Sequence, residues 1–410
     1  MDLLVVGRFG STSGLSGVST GSQVLNLVTC VVTQLAMGIT VLIARYLGEK
    51  REDQIGSIIG GGTVVFAAIS LVLFVIMVGF ARPIAVLMQA PEEAVGLTVA
   101  YIRICGAGIF FIVAYNVLSA IFRGLGDSNS PLLFVFVACI VNVVGDLVLV
   151  AGLGMDAMGA ALATVFAQAL SVVFAIVRLV KKGLPFTITG YDFRWNPQCG
   201  KFLQIGLPLA LQECLTQGSF LALCAFVNRL GLEASSGYGV ACKIVNFAML
   251  IPSALMQSTS SFVSQNVGAG EQKRAKKTMF TGIGIGLLVG CFAFSLVFFR
   301  GDLLAGIFSA DAAVVQRGYE YLKGFAPETL LTAVLFSMMG YFNGNGKTVW
   351  VMLQGLIQTL LVRLPFAYYM SIQPDASLTN IGLAAPISTA VGIVLNVAFF
   401  LYLEHAAKRS

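Results

Sequence analysis

Residues 131–154 read PLLFVFVACIVNVVGDLVLVAGLG, an apolar run interrupted by Asn142 and by one formal charge, Asp146. At about 1.5 Å per residue, a helix of this length crosses the hydrocarbon core of a bilayer. A carboxylate near its middle costs about 3 kcal/mol unless it is paired, protonated or reached by water, so by default it marks a functional site. Asn142 stands four residues earlier. In a helix that spacing stacks the two polar heads on one face, where they can share an ion or a proton.

The rest of the chain repeats this character. Of 410 residues 57% are hydrophobic and 11% charged, whereas a soluble domain carries roughly a quarter charged residues. Apolar runs long enough to span recur at about 17–44, 55–79, 97–122, 131–153, 157–180, 202–228, 238–265, 278–299, 319–342, 348–371 and 380–403. The expected fold class is therefore an all-α polytopic membrane protein. No basic segment precedes the first run and no small-residue cleavage site follows it, so none reads as a cleaved signal.

The net charge of +6 is distributed by topology. Sixteen of the 25 basic residues fall on one alternate set of connections, including Arg45, Lys50 and Arg51, the stretch Arg178 to Lys201, Lys273 to Lys277, and Lys408 with Arg409; seven fall on or near the other set, and Lys243 and Arg363 lie inside spans. That bias places the first set and the C-terminus in the cytoplasm and removes the case for a nucleic-acid patch. The eight cysteines show no pairing pattern and, apart from Cys199, sit in apolar spans, which predicts buried, inert thiols. The one histidine, His405, is in the charged tail, so no His/Cys metal-ligand set exists. YFNGNGKT (341–348) carries the Gly-Lys-Thr end of a phosphate-binding loop but has tyrosine at the position of the first glycine and lies between two spans. ATP-driven transport has no other support.

An internal repeat organises the spans. VVGRFGSTSGLSGVS (5–19) resembles FVNRLGLEASSGYGV (226–240), IFRGLGDS (121–128) resembles YFNGNGKT (341–348), and MGAALAT (158–164) resembles IGLAAPI (381–387), with an offset that grows from about 220 to 223. The chain reads as two homologous six-helix bundles, residues 1–180 and 202–410, joined by a polar cytoplasmic linker at 181–201 that contains Pro185, Gly190 and Pro197. The second bundle opens with a full span at 202–228 where the first has only Met1 to Phe9, so helix 1 is expected to be truncated. An even number of spans per half makes the halves parallel, and solute sites then belong near the membrane midplane.

Further polar residues in spans complete the candidates. Asp2 lies about one and a half turns before Gly7-Arg8, and Thr164 follows the small-residue run Gly159-Ala160-Ala161, which permits close helix approach. Opposite Asn142 and Asp146 in the repeat stand Val362 and Phe366, so the two halves do not share one chemistry. The second half instead has Glu213 and Lys243 on its first two spans, either an interhelical ion pair or part of a substrate cavity. Gln34 and Asn116 can line a cavity or bond between helices.

The combination Asp2 to Gly10 (DLLVVGRFG), Arg45-Tyr-Leu-Gly48, Phe122-Arg-Gly-Leu-Gly126-Asp127-Ser-Asn-Ser-Pro131, Asn142-Val-Val-Gly-Asp146 and Gly159-Ala-Ala-Leu-Ala-Thr164 resembles the multidrug and toxic compound extrusion (MATE) transporters, closest to their prokaryotic DNA-damage-inducible branch. The resemblance implies a two-lobed, twelve-helix antiporter exporting organic cations or drugs against sodium or protons. It also implies a cation or proton site in the first lobe formed by Asp2, Asn142, Asp146 and Thr164, where sodium is the metal expected; the departure from the family is the missing start of helix 1. The expected partners are a small-molecule organic cation or drug and membrane lipid, with no nucleic acid and no cofactor beyond the coupling ion, in a monomer in the cell membrane. A flippase for lipid-linked oligosaccharides is the alternative, and the few interior bases count mildly against the pyrophosphate it would hold. A channel would need polar rings in both halves, and an enzyme would need a nucleophile, metal or cofactor constellation; neither is present in the sequence.

Overall fold

The computed structural model describes residues 2–182, 189–309, 311–374, 376–407 and 409; Pro185 of the linker and Lys408 of the tail lie outside them. No β-strand occurs among the described residues. Among the described residues nine helices are long and apolar enough to cross a membrane, or up to eleven if each of two bent pairs is one span. The chain divides into two compact units, residues 1–210 and 211–410.

The first unit contains α1 (Asp2–Phe9), α2 (Thr12–Gly48), α3 (Asp53–Gly79), α4 (Ala81–Leu87), α5 (Val95–Ala107), α6 (Ile109–Gly124), α7 (Asn129–Asp146) and α8 (Asp156–Lys182). It also holds the start of α9 (Pro197–Asn228). α2 begins where Ser11, in extended conformation, accepts the Gly14 N–H with its hydroxyl, satisfying one of the amides a helix start leaves open. The same hydroxyl donates to Asp156 at 2.5 Å, which ties the starts of α2 and α8 together. α5 and α6 bend by 53° at Gly108. The core of the unit runs along α2, where Val32, Ala36, Ile39 and Ile43 pack with Ile55 and Ile58 of α3, Tyr101 and Ile102 of α5 and Ile112 of α6. The outward faces are equally apolar: Leu71, Val72 and Val75 of α3 and Leu132, Val135 and Phe136 of α7 are exposed. Water would not tolerate that surface; a bilayer requires it.

After α8, the described part of the linker is held on α3. Asp192 accepts the Thr189 N–H and hydroxyl with Oδ2, each at 2.8 Å, and the Ser57 hydroxyl with Oδ1 at 2.7 Å. Asn196 donates to the Ser57 carbonyl at 2.9 Å. These bonds, the Thr189 backbone amide first and Ser57 next, hold the Asp192 carboxyl below the usual carboxylate range. A depressed carboxylate contributes stability that is complete above its ordinary value and lost as pH falls through its folded value. Hydrogen-exchange protection of the Thr189 amide is therefore expected to hold from neutral pH down to about pH 4 and to disappear below it; loss already near pH 6 would refute this clasp. Beyond the clasp, α9 lies directly on α2. A Cβ on Gly206 would stand 2.2 Å from the Leu35 carbonyl oxygen, so only glycine lets the two backbones meet.

The second unit contains the remainder of α9, then α10 (Leu232–Gly268), α11 (Gln272–Gly306), α12 (Ala312–Phe325), α13 (Glu328–Gly344), α14 (Thr348–Leu356), α15 (Leu364–Ser371), α16 (Leu378–Gly382) and α17 (Ala384–Ala407). α12 and α13 bend by 47° at Ala326-Pro327, where proline has no N–H to continue the ladder. This break and the one at Gly108 are separated by about the offset of the sequence repeat. Each half also carries a π-helical stretch, Leu147–Gly152 after α7 and Ile357–Arg363 between α14 and α15. Their spacing does not follow the repeat offset.

None of the eight cysteines forms a disulfide. Cys105 is buried as expected, and Cys199, outside the spans, is buried as well, but Cys139, Cys214 and Cys291 are exposed. A thiol behaves as a small hydrophobe, so the apolar outer surface accepts it as readily as the core.

Candidate functional site

The residues singled out around Asp146 come together. α7 and α8 approach closely because Gly145 has no side chain: a Cβ there would stand 2.9 Å from the Ala163 Cβ. That contact sets Asp146 beside the level of Thr164. Asn142 Nδ2 donates to Thr164 Oγ1 at 3.2 Å, and Thr164 Oγ1 donates to Asp2 Oδ2 at 2.9 Å. Asp2, on α1, is half-buried, so it is not a frayed end. Tyr101 of α5 donates to the same Asp2 oxygen at a longer 3.4 Å.

Asp146 is 0% exposed. Neither of its oxygens makes a hydrogen bond of good geometry to a described residue, although its carboxylate lies within electrostatic reach of Asp2. Buried polar groups are nearly always satisfied, and an orphan of this kind calls for an ion, water or proton. Asp146 ends α7, and the π-helical stretch starts with the next residue; such stretches are frequent at functional sites. Two carboxylates, an amide oxygen and a hydroxyl make an all-oxygen donor set, suited to a hard cation such as sodium and not to soft metals. Among the described residues no group of three His, Cys, Asp or Glu side chains is placed to hold a metal ion.

Tyr101 was not among the candidates read from the sequence. Its signal as a site residue is a phenol inside an apolar span, which needs a partner when buried. Tyr101→Phe is expected to leave the fold intact and to lower gradient-driven export by roughly fivefold, the worth of about 1 kcal/mol of hydrogen bonding; initial export rates in vesicles check it, and an unchanged rate would place Tyr101 outside the site.

The second unit holds a different buried cluster. Glu328 is 4% exposed and opens α13 immediately after the break. Its Oε1 accepts the Thr389 hydroxyl at 2.8 Å and lies 4.0 Å from Arg363 Nη2. Arg363 Nε donates to Ser388 at 3.2 Å, and Thr389 accepts from Gln358, itself bonded to Gln354. Arg363 was noticed in the sequence as an interior base, and Glu328 was missed. It could have been found as an acid inside the run 319–342, beyond Glu320 and Lys323 near its start and at the head of an apolar stretch.

The remaining candidates are placed elsewhere. Asn116 is buried and joins α6 to α2, accepting from Thr33 at 2.8 Å and donating to the Ile112 carbonyl. Gln34, also on α2, is half-buried. Glu213 on α9 accepts from Gln217 one turn later at 2.8 Å. The Lys243 ammonium of α10 lies 5.6 Å from the Phe308 ring centroid.

The architecture has close counterparts. It superposes with a TM-score of 0.94 on a multidrug resistance MATE family transporter of the MOP superfamily in an outward-facing conformation, at 20% identity and over 100% of this chain and 92% of that one. It superposes at 0.92 on a MOP superfamily transporter from Pyrococcus furiosus, at 21% identity over 100% and 91%; that protein is described as having a binding pocket of reverse polarity suggesting a different function. In sequence the chain is 24% identical over 372 residues to the probable multidrug resistance protein YpnP of Bacillus subtilis (strain 168), covering 90% of this chain and 83% of that protein. It is 25% identical over 369 residues to the multidrug export protein MepA of Staphylococcus aureus (strain NCTC 8325 / PS 47), covering 87% and 80%. The MatE family model matches residues 1–148 and 208–369, in both halves of the repeat, and the chain therefore belongs to the MatE family.

Proposed function

We propose that this protein is a secondary antiporter of the cell membrane that exports organic cations or drugs in exchange for sodium or protons, with Asp2, Asn142, Asp146 and Thr164 as the coupling site. The observation that carries the reading is Asp146, fully buried with no hydrogen-bond partner among the described residues. An ionised carboxylate in that position must be compensated by a bound cation, and without one it takes a proton. Two acids share the site, so a monovalent cation between them offsets their repulsion, leaving one net negative charge unless one acid is also protonated, and draws α1, α7 and α8 together. Releasing it restores the like-charge repulsion or requires protonation. A ligand can bias a packing equilibrium only through such a difference between states. The exported compound is taken to be a drug-like organic cation because YpnP and MepA are named for multidrug resistance and export. A flippase for lipid-linked sugars is less favoured: the one interior arginine of the second half is already engaged by Glu328 and Ser388.

The test is export of a fluorescent organic cation from sealed vesicles carrying the protein, under an inward sodium gradient or an inward proton gradient alone. Export driven by one of them is expected. Export that ignores both gradients and requires ATP would reject the antiporter.

A further inference from the structure

We infer that the end of α8 carries a binding site for the headgroup of an anionic phospholipid, from the leaflet that faces the basic loops. A groove of about 420 Å³ is lined there by Phe174, Val177, Arg178 and Lys181. Its position suits a headgroup: Arg178 stands roughly 33 Å along the helix axis from Asp156, one hydrocarbon thickness from the other membrane surface. Val173, Ile176, Val177 and Val180 around it are exposed, so acyl chains have an apolar surface directly below the two cations.

The groove is built and not merely a pair of surface charges. Arg178 Nε donates at 2.7 Å to the hydroxyl of Ser130, which is 0% exposed. Ser130 in turn donates to Asp127 Oδ2 at 2.6 Å, and its backbone N–H donates to Asp127 Oδ1 at 3.0 Å. The guanidinium is therefore fixed at its Nε, and no hydrogen bond runs from its Nη nitrogens to another described residue. A planar fork held in place loses little entropy when it closes on a phosphate. Phe174, one turn before Arg178 on the same face of α8, packs edge-on against Phe134 at 5.9 Å between centroids, and Phe134 against Phe122 at 5.2 Å. The Asp127 carboxylate thus accepts both the backbone N–H and the hydroxyl of Ser130. Lys181 supplies a second, mobile cation at the rim. A fixed fork, a flexible ammonium and a rigid apolar wall at the membrane boundary match one phosphodiester with its chains, and not a zwitterionic headgroup, whose ammonium the two cations repel.

The full chain, stripped of lipid in detergent and titrated with phosphatidylglycerol or phosphatidylcholine, tests the site by native mass spectrometry. One phosphatidylglycerol is expected to be retained in preference to phosphatidylcholine, and Arg178→Gln with Lys181→Gln to weaken that retention by roughly tenfold or more. Removing the same charge at exposed positions elsewhere, Lys273→Gln with Lys277→Gln, is expected to leave it unchanged. Ser130→Ala, which frees the guanidinium without removing charge, is expected to give an intermediate loss, and together with Lys181→Gln alone it serves if the double variant fails to fold. Equal retention of both lipids by the native protein, or undiminished retention by the Arg178 and Lys181 variants, overturns the inference. So does binding of inorganic phosphate as tight as that of phosphatidylglycerol, which would make the groove a site for soluble anions.

Discussion

Replacing Asp146 by Asn abolishes gradient-driven export while the protein stays folded in the membrane. The substitution keeps the shape and one acceptor oxygen but removes the charge and the exchangeable proton, and those are what a coupling site uses. The side chain is wholly buried and its oxygens have no described hydrogen-bond partner, so little is lost from packing. The apparent Tm is expected to stay within about 2 °C or to rise, because a buried carboxylate that needs compensation has gone. Asp2→Asn should produce the same loss of export, since Thr164 and Tyr101 converge on that carboxylate. Asn142→Ala, which removes the donor to Thr164 and one neutral oxygen of the donor set but no charge, should give a partial one. Initial rates in vesicles beside a thermal melt separate the two properties. Full export by Asp146→Asn would demote the first-half cluster to structure and make Glu328 the next carboxylate to examine.

The largest stability effect is expected at Arg363. Its guanidinium is 7% exposed, lies beside Glu328 and bonds to Ser388, so Arg363→Met leaves a buried carboxylate with the Thr389 hydroxyl and no cation. Breaking one partner of a buried pair costs about 3–5 kcal/mol, whereas replacing both with neutral groups is often tolerated. The single variant should lose on the order of 10 °C of apparent Tm, and Glu328→Gln with Arg363→Met should recover most of it. If the double variant is no better than the single one, the loss comes from the stem of the arginine packing near Phe220 and not from the stranded charge. Either way the melt distinguishes them.

These two carboxylates also show what could be read from the chain alone. Asp146 is conspicuous because its anomaly is local: one charge in an uninterrupted apolar run, with Asn142 one turn away. Asp2 and Thr164 stood out singly as polar residues of spans and were grouped with Asp146 only through family resemblance, since no periodicity links positions 2, 142 and 164. Glu328 was overlooked because the second half was read by matching it to the first, and the match led to Val362 and Phe366. The real cluster joins α13, the π-helical stretch and the start of α17 across three helices, and a repeat offset cannot carry the register shift that a π-helical turn introduces. The spans were legible, since a bilayer imposes length and apolarity on every one of them. The bends were half-legible: Pro327 announces one, while at Gly108 the residue type alone does not say whether a helix breaks.

The seating of the first turns of α9 has a practical consequence for anyone wishing to cut the protein in two. The linker looks like the natural place, yet residues 197–210 belong with the first compact unit, where Phe202 is buried against Phe66 and Gly206 against Leu35. An amino-terminal fragment ending in the linker would go into the membrane with a bare stripe along α2, and the carboxy-terminal fragment would begin with a segment shaped for a surface it no longer has. Two such pieces should each be unstable when produced alone and should accumulate only when made in the same cell.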